Sequence, residues 1–174
     1  MRKSNFRKPL IACFAIVLML AMVLGTAAVA ETAQFRSTQN FLDFLDSKGI
    51  KYSYLGVTDD GDREIVRVSY TLDNYPSLDC NLFFKSDCEE VSLRIWNIVT
   101  ATAGKNYVCS TLNSLNAAYK FVKFVYDESD STVQAEVDLY IDGDHCGRSI
   151  YDSMMAIFNV TDRDDTASQL HGLE

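Results

Sequence analysis

Apolar and polar residues alternate in several stretches of the chain. Between positions 64 and 72, Val66, Val68, Tyr70 and Leu72 share one side, while Arg67, Ser69 and Thr71 share the other. A period of two is that of a half-buried strand. Segment 78–85 repeats the pattern with Leu78, Cys80, Leu82 and Phe84, and segment 91–99 with Val91, Leu93 and Ile95. Ser86 and Asp87 between these two predict a hairpin. The clearest alternation is at 133–141, where Val133, Ala135, Val137, Leu139 and Ile141 oppose Gln134, Glu136, Asp138 and Tyr140. Shorter strands are predicted over 50–57 and 120–126. Turns fall at Asp59-Asp60-Gly61-Asp62 and Asp127-Glu128-Ser129-Asp130, where Asp and Gly favour turn geometry.

Three other segments follow the helical period. They are 35–48, with Phe41, Leu42, Phe44 and Leu45 and a stop at Gly49; 107–119, with Leu112, Leu115, Ala118 and Tyr119; and 146–159, with Ile150, Met154, Ile157 and Phe158. The order is α-β-β-β-β-α-β-β-α. One-faced strands with helices on that face predict an α+β, two-layer domain: a largely antiparallel sheet with helices packed on one side. The crossover from 91–99 through 107–119 to 120–126 predicts one parallel strand pair.

The N-terminus changes the picture of the compartment. Arg2, Lys3, Arg7 and Lys8 precede an apolar run from Leu10 to Leu24, then small residues ending Ala28-Val29-Ala30. That is the pattern of a signal peptide over residues 1–30, and it implies a secreted, periplasmic or envelope protein. If uncleaved, the same segment is long enough to anchor the chain in a membrane. Residues 31–160 make one domain, and 161–174, with Asp162, Asp164 and Asp165, read as a polar, flexible tail. All 24 acidic residues but only 12 of the 16 basic ones lie beyond position 30, so cleavage takes the formal charge from −8 to −12. Such a surface argues against nucleic acid as a partner.

Four cysteines follow the leader: Cys80, Cys88, Cys109 and Cys146. An even number in an exported chain favours two disulfides over free buried thiols. The predicted topology places Cys109 near Cys80 and Cys146 near Cys88, so the pairs expected are Cys80–Cys109 and Cys88–Cys146.

Phe41-Leu42-Asp43-Phe44-Leu45 leads into Gly49-Ile50-Lys51-Tyr52, Leu112-Asn113-Ser114-Leu115-Asn116 precedes Lys120-Phe121, and the 133–141 strand is followed by a closing helix. In these features and in the order of its elements the chain resembles the YbjN-like family of candidate bacterial sensory-transduction regulators. The likeness covers nearly everything after the leader. It implies a fold like that of type III secretion chaperones, a domain that binds another polypeptide and forms homodimers, and no assigned catalytic residues.

The residues themselves offer little chemistry. His145 and His171 are the only histidines, and neither a Gly-x-Ser-x-Gly elbow nor a phosphate-cradling glycine loop occurs. Asp142, Asp144, His145 and Cys146 fall in one turn that lacks the further acidic ligands of a calcium loop, so turn-making and capping by Asp144 are the expected roles. No catalytic, cofactor or metal residue is therefore assigned. The expectation is an exported, non-catalytic binding or regulatory domain; the alternatives are a small envelope hydrolase using carboxylates and a structural envelope protein. Its expected partner surface is Phe83, Trp96 and Ile98 on the outer sheet face, with Asn113 and Asn116 on the second helix. Structural hydrogen bonding within the domain is the competing role for the two asparagines.

Overall fold

The computed structural model describes residues 32–174, so the signal peptide expected over 1–30 lies outside the described residues. These residues form α1 (Arg36–Lys48), β1 (Ser53–Val57), β2 (Arg63–Tyr70), β3 (Leu78–Lys85), β4 (Glu90–Thr100), α2 (Lys105–Ala118), β5 (Lys123–Asp127), β6 (Thr132–Tyr140), α3 (Gly147–Asp162) and α4 (Asp164–His171). The fold is the expected α+β class: one six-stranded antiparallel sheet in the order β1-β2-β3-β4-β6-β5 with helices against it.

The alternation decides which side is dry. Val66, Val68, Cys80, Leu82, Phe84, Val91, Leu93, Ile95, Val133 and Ala135 are all fully buried on one face. Helix α1 lays Phe41, Leu42 and Leu45 onto that face, and Phe41 meets Phe84 with ring centroids 5.6 Å apart. Helix α3 adds Ile150, Met154, Ile157 and Phe158, the last tilted at 51° against Tyr70 with ring centroids 5.0 Å apart. α1 ends where Gly49 turns left-handed, φ 66°, and the Gly49 and Ile50 amides donate to Asp46 O and Leu45 O.

Two expectations are corrected here. No parallel pair forms: β6 inserts between β4 and β5, pairing antiparallel with both. β6 is longer and buries Val133, Ala135 and Val137, so it takes the central place, while five-residue β5 takes the edge. The stretch 161–174 is also no loose tail. α4 buries Thr166, Ala167 and Leu170, and Leu173 beyond it is fully buried, with its carbonyl accepting the Thr102 and Ala103 amides.

Candidate functional site

Among the described residues, no helix covers the face of the sheet opposite the core. Its middle is aromatic. Phe83 on β3 and Trp96 on β4 pack with ring centroids 5.6 Å apart at 52°. Phe83 is half-buried, with Ile65 of β2 opposite it in register, and Trp96 is 44% exposed. Trp96 also borders a shallow depression of about 290 Å³ shared with Asp127, Asp130 and Gln134.

Paired charges flank the aromatic pair. The Arg94 guanidinium donates to Asp138 Oδ1 at 2.8 Å and to the Leu93 and Val137 carbonyls, with Glu136 at 3.7 Å. Burial works against ionisation of Asp138, but hydrogen bonds from Ser92 and Arg94 and the positive charge of Arg94 hold its carboxyl below the usual range. Arg67 donates from Nε to Asn81 Oδ1 at 2.9 Å, and Asp79 accepts from the Ser69 hydroxyl at 2.6 Å. A second apolar area opens between α3 and the β5–β6 end of the sheet. It is a groove of about 310 Å³ lined by Phe121, Val122, Val137, Leu139 and Ala156, with Phe121 81% exposed.

The sequence-derived surface is thus only partly assembled. Phe83 and Trp96 meet; Ile98 does not join them. A bulge between Ile95 and Val99, with Asn97 at φ 54°, breaks the alternation and turns Ile98 into the core, where it is 6% exposed. Asn113 is exposed on α2. Asn116 is occupied inside the domain: its amide donates to Phe124 O at 2.9 Å, and its Oδ1 accepts the Phe124 amide at 2.7 Å. One side chain thereby satisfies both backbone groups at the open edge of β5.

All four cysteines of the described residues are free thiols, so neither expected bridge is formed. Cys80 is fully buried on β3, whereas Cys109 sits on α2, which packs on β5, three positions along the sheet from β3. The sequence-based pairing assumed that α2 leaves beside β3; the insertion of β6 carries it to the far edge. Cys88 and Cys146 both come close to one glycine, Gly143.

The acidic turns are structural. Asp142 accepts the Asp144 amide at 3.2 Å, and Asp144 pairs with Arg36 at 2.9 Å. Asp144 does not cap α3. Asn40 of α1 does, accepting the Gly147 amide at 3.0 Å. Asp60 accepts from the Thr58 hydroxyl and the Asp62 amide, and these bonds hold its carboxyl below the usual range. Among the described residues, no three His, Cys, Asp or Glu side chains gather in a way that could hold a metal.

Geometry and topology together define an α+β sheet-and-helix domain, and its fold is like that of YbjN. Among solved structures the chain is similar to YbjN from E. coli, described as a candidate transcription regulator: TM-score 0.52 at 13% identity, over 78% of this chain and 93% of that one. It is also similar to a chain of the ExsC–ExsE complex, with TM-score 0.46 at 14% identity, over 74% and 89% of the two chains. At these identities the likeness is one of fold. No family model and no curated protein matches the sequence.

Proposed function

We propose that this chain is an exported, non-catalytic binding and regulatory domain that engages a protein partner through the outer face of its sheet. The observation carrying the reading is the Phe83–Trp96 pair, tilted together with centroids 5.6 Å apart on a face that no helix of the described residues covers. An aromatic centre ringed by charged groups is the anatomy of an interface, in which the ring supplies the energy and the rim supplies register. The rim offers both signs, from Arg67 and Arg94 on one hand and Asp79 and Asp138 on the other. It suits a polypeptide that presents an apolar side chain between charges of both signs. A chain of formal charge −8 is poorly suited to a polyanion. Export rests on the basic and apolar pattern of residues 1–30. The regulatory half of the reading is what the likeness to YbjN suggests.

The test is capture with the tagged chain from the envelope and culture fluid of its own organism, run in parallel with Trp96→Ala. One stoichiometric polypeptide held by the wild type and lost by the variant, at an unchanged melting temperature, is expected. A polypeptide held equally by both would move the interface away from this face. Recovery of the chain alone would shift belief to the hydrolase or structural reading.

A further inference from the structure

We propose that Cys88 and Cys146 are a paired redox site that closes to an intramolecular disulfide, tying the β3–β4 hairpin to the start of α3. Cys88 stands in the hairpin turn at φ 60°, a left-handed conformation seldom adopted by a residue of its kind. That conformation sets its side chain against Gly143: a Cβ on Gly143 would lie 3.1 Å from Cys88 Cβ and 3.2 Å from Cys88 O. Cys146 reaches the same glycine, its thiol donating to Gly143 O at 3.9 Å and to Ser37 O at 3.6 Å. The two turns are held together by the Ile141 amide, which donates to Glu89 O at 2.9 Å. Both cysteines therefore border Gly143, a residue without a side chain.

Among the described residues, the other two thiols are poor competitors. Cys80 is fully buried, and burial pushes its thiol up to about 12, so it yields almost no thiolate. Cys109 lies on α2 at the β5 edge, away from the Gly143 turn. Within the pair the roles differ. Burial pushes the Cys146 thiol up, with Cys88 and Asp142 adding and Arg36 opposing. Cys88 is only half-buried and is the thiol an outside reagent meets first.

The oxidant is a disulfide, carried by a protein or a small thiol. The Cys88 thiolate attacks one of its sulfurs, the donor S–S bond breaks, and a mixed disulfide forms as the first donor thiol leaves with the proton from Cys88. The Cys146 thiolate then attacks the Cys88 sulfur and expels the second donor thiol, which takes the proton from Cys146. Two cysteines lose two electrons, and one donor disulfide gains them.

The experiment treats the full-length, reduced chain with oxidised glutathione and maps its peptides by mass spectrometry. Expected are a Cys88–Cys146 cross-linked peptide and a melting temperature raised by on the order of 5–10 °C, reversed by reductant. Both persist in the Cys80→Ser/Cys109→Ser double variant, and both vanish in Cys88→Ser and in Cys146→Ser. Oxidised folded chain that yields only glutathione adducts, only links between chains, or two unmodified thiols at these positions would overturn the proposal. The outcome is independent of whether Trp96 binds a partner.

Discussion

Glu64 is fully buried on the core face of β2, where a carboxylate must be matched by donors. It is matched: the Gln34 amide at 2.5 Å, the Phe35 amide at 3.0 Å and the Tyr54 hydroxyl at 2.6 Å all donate to it. A strand residue thus serves the N-terminus of α1, which has no cap of its own. The signal was legible, since Glu64 shares the inward parity of Val66 and Val68; the identity of its donors was not, because two of them lie some thirty residues away. Tyr75 shows the opposite case. Its hydroxyl is buried without a partner among the described residues, its ring stacks on His171 at 5.0 Å, and nothing in its local sequence foretells either. Burial first, then the charges of Glu174 and Asp162, push its hydroxyl up to about 12 from 10.0. The folded state therefore holds the phenolic proton more tightly than the unfolded chain. The resulting stability is complete below about pH 10 and is lost as pH rises toward 12. Urea midpoints measured across that window should fall less steeply for Tyr75→Phe than for the wild type. At pH 7 the variant should match or exceed the wild type, because it removes an unpaired buried hydroxyl.

At the scale of elements, the contact between α1 and α3 depends on a missing side chain. A Cβ on Gly147 would stand 2.8 Å from Asn40 O and 2.8 Å from Phe44 Cβ. The Asn40 carbonyl is part of the α1 backbone and cannot swing aside, while the Asn40 side chain is occupied in capping the Gly147 amide. Gly147→Ala should therefore push the helices apart and cost about 1–3 kcal/mol in urea unfolding. Gly104→Ala is the control. It has nothing within 4 Å and φ −61°, so its cost should stay under about 1 kcal/mol. Strands were easier to read than their neighbours for a physical reason. Each strand's period reports its own burial, so β2, β3, β4 and β6 stand out in the residues. Sheet order depends on which strands compete for the centre, and the β4 bulge at Asn97 depends on one backbone conformation. Those two features decided the positions of Ile98, Cys109 and Asn116, and with them two of the five residues of the expected surface.

For the whole molecule, the C-terminal stretch is the part whose importance its composition hides. Asp162, Asp164 and Asp165 make it look solvated, yet it closes the end of the core where the β2–β3 loop, the exit from β4 and the last turn of α3 converge. Asp162 accepts the Asp73 and Asn74 amides at 3.1 and 2.8 Å, and Thr166 shares a 2.8 Å hydrogen bond with Tyr119. Leu170 and Leu173 are both fully buried. These contacts join residues far apart in sequence, so no local periodicity announces them; only the spacing of Ala167, Leu170 and Leu173 does, and it is too short to outweigh the charges around it. Leu173→Ala should cost about 2–4 kcal/mol, measured by urea unfolding, as expected for truncating a large core side chain. Removing 164–174 strips two buried leucines and the carbonyl that receives Thr102 and Ala103, a loss of roughly 5 kcal/mol or more against a typical total of about 5–15 kcal/mol. The shortened chain should lose its cooperative unfolding transition and expose Tyr75 to solvent. A truncated chain with a wild-type midpoint would mean that the stretch rests on the core without supporting it.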